Sequence, residues 1–255
     1  MRTQKEKKYL KKYWNDMQMH LHDFLQSRDQ EALHRFRVQV KKTKAFLFLM
    51  EQGSGKKKML RLFKPVKKIF KQAGVIREAH IHLQLSDRFQ LHNEAFKKQQ
   101  HRIVRQGTEK FCSKSGKYLH GLRKTNAKLQ KASCPVKNEK IRDFYKQTLD
   151  EITRFLANPV FDDRLHDCRK QIKYLLYNLK PAAAALNSMP ALDKHYLEKV
   201  QEMIGRWHDN LLAIELFSST QSEDASLNSE LRTQNNDLQK KITAYVAHFG
   251  TKAAE

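Results

Sequence analysis

The stretch Leu33-His34-Arg35-Phe36-Arg37-Val38-Gln39-Val40-Lys41 has a counterpart in Leu165-His166-Asp167-Cys168-Arg169-Lys170-Gln171-Ile172-Lys173, at an offset of 166 − 34 = 132 residues. At about 100° per residue on an α-helix, His34, Arg37, Lys41 and Lys44 share an arc of roughly 80°. His166, Arg169, Lys170 and Lys173 share a face in the same way. Beside these stripes, Leu33, Phe36, Val40 and Leu47, and then Leu165, Cys168, Ile172 and Leu179, form apolar stripes that point elsewhere. Each copy therefore reads as a helix that packs through one face and holds charge on the next.

A second matched pair supports the duplication. Ala73-Gly74-Val75-Ile76-Arg77-Glu78 and Ile204-Gly205-Arg206-Trp207-His208-Asp209 lie 205 − 74 = 131 residues apart. In both, a glycine is followed three residues later by a basic or imidazole side chain and four later by a carboxylate. The periodicity resets around Ala132-Ser133-Cys134-Pro135, which divides the chain into a first half, 1–132, and a second, 133–255.

Only 8 Gly and 5 Pro punctuate 255 residues, and the apolar spacing between them is three and four rather than alternating, so the fold class is all-α. The pattern predicts eight helices, four in each half. The first runs from about Lys5 to Gln26. The second is capped by Ser27 or Asp29 and lasts to the turn Gly53-Ser54-Gly55. The third starts in Lys56-Lys57-Lys58, with Pro65 at a kink or at its true first turn, and proceeds through Gly74, where a close helix contact is expected, towards Phe89. The fourth is a long polar segment, about Asn93 to Lys131, weakened at Gly107, Gly116 and Gly121. Helices at about Lys137 to Ala157, Asp162 to Asn187, Ala191 to Ser219 and Glu223 to Phe249 complete the second half, with Pro181 expected to kink or shorten the sixth.

Fifty Lys plus Arg against 27 Asp plus Glu leave a formal charge of +23, which does nothing to specify a fold and is most simply explained by a polyanionic partner. With 40% hydrophobic residues the chain can still bury one large core or two smaller ones. The charged opening Met1-Arg2-Thr3-Gln4-Lys5-Glu6-Lys7-Lys8 lacks the apolar core of a secretory signal, and no apolar run approaches membrane length, so a cytoplasmic protein is expected. Cys112, Cys134 and Cys168 are odd in number and widely separated, which disfavours a disulfide framework or a zinc site.

Taken together, Leu33-His34-x-x-Arg37-Val38-x-x-Lys41-Lys42, Leu165-His166-Asp167-x-Arg169-Lys170-x-x-Lys173-Tyr174 and the two glycine motifs resemble the conserved histidine α-helical domain, or CHAD, family. The resemblance spans essentially the whole chain. It implies two tandem antiparallel four-helix bundles related by a pseudo-two-fold axis, basic helices facing a shared central cavity, and binding of inorganic polyphosphate. It also raises association with polyphosphate granules. Two positions depart from the family pattern: Leu176 stands where another base is common, and Glu78 where Asp is usual.

The chemistry suits that ligand. Polyphosphate offers no bases, so a protein reads only charge density and strand width, using guanidinium forks and adaptable Lys charges. The candidate contacts are His34, Arg37, Lys41, Lys42, Lys44, Arg77, His166, Arg169, Lys170, Lys173 and His208, with Glu78 and Asp209 as carboxylates that orient basic side chains from the second and sixth helices. A polyanion nearby favours imidazolium, which makes His34 and His166 donors to phosphate.

Other classes compete. Nucleic acid, RNA above all, suits +23 equally well, although the stripes lack interleaved aromatics apart from Tyr174 and Tyr177. A scaffold for acidic proteins needs only a flat basic surface. His20 with His22, and His80 with His82, have an i, i+2 spacing that sends their rings to different sides of a helix, so neither is a paired metal-ligand set, and no cofactor is implied. Catalysis on polyphosphate needs carboxylates for a metal or a positioned nucleophile. The stripes contain neither, and both a phosphate-binding Gly-x-x-x-x-Gly-Lys loop and the Glu/Lys strand pattern of triphosphate tunnel enzymes are absent.

Overall fold

A computed structural model describes residues 3–55, 58–90, 93–188, 190–219 and 225–253. All regular structure among them is helical: α1 (Thr3–Ser27), α2 (Gln30–Ser54), α3 (Met59–Leu62), α4 (Lys64–Arg88), α5 (Glu94–Cys112), α6 (Ser115–Ala132), α7 (Asn138–Leu156), α8 (Asp163–Leu186), α9 (Lys194–Ser219), α10 (Ala225–Val246) and α11 (Phe249–Lys252). No helix among these residues is long and apolar enough to cross a membrane.

The two helices that carry the histidine motifs begin and end for legible reasons. At α2, the Asp29 carboxylate accepts the Ala32 N–H at 2.9 Å, satisfying an orphan donor, which is typically worth about 1 kcal/mol. Gly55 closes the helix at φ 70°, a left-handed conformation that glycine adopts without penalty. At α8, Asp162 caps through the Arg164 N–H, and Asn187 closes the helix at φ 56°. Pro181 does not end α8, which runs on to Leu186.

Eight helices were too few. Lys56 and Lys57 lie outside the described residues, and the third predicted helix becomes the short α3 followed by α4, with Pro65 in the first turn, where a missing N–H costs nothing. The fourth breaks at Ser113–Lys114 into α5 and α6, and the Ser113 hydroxyl donates to the Lys110 carbonyl there. On a straight helix, residues seven apart are separated by about 10 Å along the axis. The break instead brings the Phe111 and Tyr118 rings to 4.8 Å, with Phe24 of α1 against Phe111 at 5.6 Å. The predicted start of the last helix at Glu223 and the Met189 turn also lie outside the described residues.

The chain separates into two compact units: Met1–Arg88 with Glu94–Ile141, and Phe89–Asn93 with Arg142–Glu255. In the first, α1 buries Leu10, Trp14, Met17, Leu21 and Phe24 against Leu33, Phe36, Val40, Phe46 and Leu47 of α2, each such side chain typically contributing about 1.5–3 kcal/mol. In the second, Leu165, Cys168, Ile172 and Leu179 of α8 are buried, as are Leu197, Val200, Ile204 and Trp207 of α9. Both apolar stripes thus face cores.

Residues 133–141 pack with the first unit although the repeat pattern changes at 132/133. The fully buried Glu6 accepts the Val136 N–H at 2.7 Å, and the Lys137 N–H donates to the Gly53 carbonyl at 3.2 Å. Burial pushes the Glu6 carboxyl above the usual carboxylate range. A Cβ at Gly53 would meet Val136 Cγ1 at 1.8 Å, so only glycine admits this segment.

Candidate anion-binding site

In each unit the histidine motif and the glycine motif lie on packed helices, α2 on α4 and α8 on α9. The contact between them is the same. Arg37 of α2 donates through Nη1 to the Phe70 carbonyl of α4 at 2.7 Å, and Arg169 of α8 donates through Nε to the Gln201 carbonyl of α9 at 2.8 Å. Phe70 and Gln201 each stand four residues before their glycine. A Cβ on Gly74 would come within 2.7 Å of Arg37 Nη1, and one on Gly205 within 2.7 Å of Arg169 Nη2. The two motifs therefore interlock, with glycine providing the seat for a guanidinium from the neighbouring helix. Arg37 also lies over the Phe70 ring, 4.1 Å from its centroid. Neither arginine forms a salt bridge among the described residues.

These contacts change the role read for Glu78 and Asp209. Both are exposed, and neither forms a hydrogen bond or salt bridge among the described residues. Glu78 acts on Arg37, and Asp209 on His208, only through charge. The arginines are oriented instead by helix carbonyls, which a sequence does not display as partners.

Around this lock the first unit gathers further positive charge. His34 is half-buried. Burial first, then the charges of Arg77, Lys41 and Arg37, hold its pKa below the usual histidine value, with Glu31 opposing. Burial also lowers the pKa of Arg77, whose Nε is buried without a hydrogen-bond partner. His80, one turn beyond Arg77, is lowered by burial and by Arg77. At the other end of the stripe, burial together with Lys44 and Lys64 lowers Lys67. The sequence reading missed His80 and Lys67. Lys67, Gly74 and Arg77 fall within about 80° on α4, so helical spacing back from the glycine motif contained the signal for Lys67.

The second unit differs at the position of Arg77. His166 and His208 stack with ring centroids 4.3 Å apart and planes 28° apart, where the first unit pairs His34 with Arg77. His166 is lowered to about 4, by burial and then by His208, Lys170 and Arg169, and its Nδ1 is buried without a hydrogen-bond partner. His208 is lowered by burial and Arg169 against the opposing pull of Asp209, Glu215 and Asp163. Trp207 meets His208 edge-on at 6.4 Å, and Phe161 packs against Trp207. Lys170 is paired with Asp167 of its own helix at 2.8 Å, and Lys173 lies over the Tyr177 ring at 5.9 Å. Lys41 is exposed, whereas Lys42 and Lys44 are partly buried.

Cys168 belongs to the core, and burial pushes its thiol up to about 12, so it is not a reactive group. No three His, Cys, Asp or Glu side chains among the described residues converge as a metal site.

Comparison with known proteins bears on this arrangement. A family model described as the CHAD domain matches residues 8–218. The crystal structure of the CHAD domain from the plant Ricinus communis superposes with a TM-score of 0.71 at 16% identity, covering 96% of this chain and 91% of that one, a likeness of fold. No curated protein matches the sequence.

Proposed function

Because the chain belongs to the CHAD domain family, we propose that it is a non-catalytic receptor for inorganic polyphosphate, held through Lys, Arg and His side chains of α2, α4, α8 and α9. The observation that carries this reading is the pair of clusters His34/Arg77 and His166/His208, each partly buried, each beside an arginine locked into the neighbouring helix, and each without a carboxylate salt bridge among the described residues. Desolvated charge at Arg37 and Arg77, which Glu78 and Glu31 reach only through charge and not through a salt bridge, costs free energy in the empty protein, and an incoming anion relieves that cost. Arg37 and Arg169 each commit one N–H to a helix carbonyl and keep further donors for a ligand. Lys41, Lys42, Lys44, Lys170 and Lys173 extend the contact. In this reading the two repeats, 1–132 and 133–255, form one domain, the protein is cytoplasmic, and it associates with polyphosphate granules.

The double variant Arg77→Ala/His208→Ala tests the assignment. Removing one charge-assisted contact from each unit is expected to weaken binding of long-chain polyphosphate at least about tenfold, while far-ultraviolet circular dichroism stays helical. Unchanged affinity in the folded variant would remove both clusters from the site.

A further inference from the structure

We propose that anion binding in the second unit is proton-gated: the stacked His166–His208 pair takes up one proton from solvent as a phosphate oxygen arrives, whereas the first unit, with Arg77 at the matching position, carries permanent charge. This rests on the polyphosphate reading above and adds a regulation to it.

The geometry supplies the argument. Two imidazoles with centroids 4.3 Å apart cannot both be charged without strong repulsion, so the pair holds at most one proton comfortably. In the empty protein even that proton is disfavoured, first by burial and then by the cations Lys170 and Arg169 of α8. Asp163 and Asp167 of α8 and Asp209 and Glu215 of α9 oppose them, and burial outweighs these carboxylates. From α7, Glu151 reaches α8, where the Gln171 amide donates to it at 2.9 Å, while Ile152 and Leu156 of α7 and Leu231 and Ile242 of α10 are buried. The buried Nδ1 of His166 has no hydrogen-bond partner, so a proton placed there gains an acceptor only when a ligand brings one. An anionic oxygen supplies both the acceptor and the missing counter-charge, which raises the proton affinity of the pair. By linkage, each proton taken up makes binding about tenfold tighter per unit fall in pH, across the interval in which the empty pair is neutral and the occupied pair is charged. His166, at about 4 when empty, places that interval above pH 4. At Arg77 no such linkage exists, since a guanidinium stays protonated throughout.

The test is calorimetric titration of the whole chain with long-chain polyphosphate at pH 7.5 in two buffers of different ionisation enthalpy, on wild type and on His208→Arg. The double variant His166→Gln/His208→Gln serves as a second variant, and thermal melting confirms that each is folded. The expected result is that wild type takes up about one proton more than either variant, and that its affinity falls more steeply between about pH 6 and pH 8. Tight binding with equal proton uptake in wild type and both folded variants overturns the gating and leaves the polyphosphate reading standing. Absence of polyphosphate binding at every pH overturns that reading and the gating with it.

Discussion

Raising monovalent salt from about 50 to about 200 mM is expected to cut the affinity for long-chain polyphosphate by about a thousandfold. Eight of the proposed contacts are Lys or Arg: Arg37, Lys41, Lys42, Lys44, Arg77, Arg169, Lys170 and Lys173. Each phosphate neutralised by such a group releases a condensed counterion, and for single strands the logarithm of affinity falls with the logarithm of salt at a slope of about −0.7 per contact. Eight contacts over a fourfold change in salt give a loss of about three orders of magnitude. Lys170 is the weakest member, because Asp167 already neutralises it, and His34, His166 and His208 add to the slope only when protonated. Equilibrium titration at four or five salt concentrations reads the slope directly. A slope corresponding to one or two ions would mean that most of these side chains do not touch the ligand.

The second large effect concerns stability. Arg37→Ala and Arg169→Ala are each expected to cost about 1.5–3 kcal/mol, the range for hydrogen bonds made by charged groups. At Arg37 the value lies toward the upper end, since its contact with the Phe70 ring is lost as well. The relief of burying a guanidinium works in the opposite sense, because burial is the first cause of the lowered Arg37 pKa. The two arginines lie in separate units and share no partner, so the double variant should lose about 3–6 kcal/mol in total. Chemical denaturation followed by circular dichroism checks this. Gly74→Ala and Gly205→Ala displace the same guanidinium groups from the other side, with a smaller loss, since the end of a flexible side chain can swing away and alanine favours the helix by about 1 kcal/mol. Alanine variants as stable as wild type would show that the interlock is incidental to packing. The same result would leave the duplicated glycines without a physical reason.

Much of the fold was legible because it rests on local signals. Asp29 and Gly55 bracket α2 and Asp162 and Asn187 bracket α8 as turn and cap chemistry dictates, and Leu33, Phe36, Val40, Leu165, Cys168 and Ile172 all reach the core that their spacing implied. The duplication was legible as two offsets of 131 and 132 residues. What the sequence concealed depends on contacts between elements. Nothing in a linear reading joins Arg37 to Gly74, because the partner atom is a backbone carbonyl four residues before the glycine. The break between α5 and α6 falls at Ser113–Lys114, beside none of the expected weak points except Gly116, and it follows from the packing of Phe111 and Tyr118 rather than from propensity. His80 escaped notice because it was weighed with His82 as a metal pair, whereas its charged neighbour is Arg77. The histidine pair was half legible: both motifs were found, but the stacking of His166 on His208, and hence its contrast with His34 and Arg77, required the helix crossing.

The central claim, that these clusters recognise inorganic polyphosphate rather than polyanions in general, is tested most directly by competition. Wild-type protein is saturated with labelled RNA at near-physiological salt and challenged with long-chain polyphosphate, with both polymers expressed as concentration of charge. A receptor built from point charges and guanidinium forks, with only Tyr174 and Tyr177 interleaved in its basic stripes, favours the narrower and denser strand. Polyphosphate should therefore displace the RNA well before charge equivalence. RNA that holds its place until polyphosphate is in large excess would contradict the account and make nucleic acid the ligand of this basic helical protein.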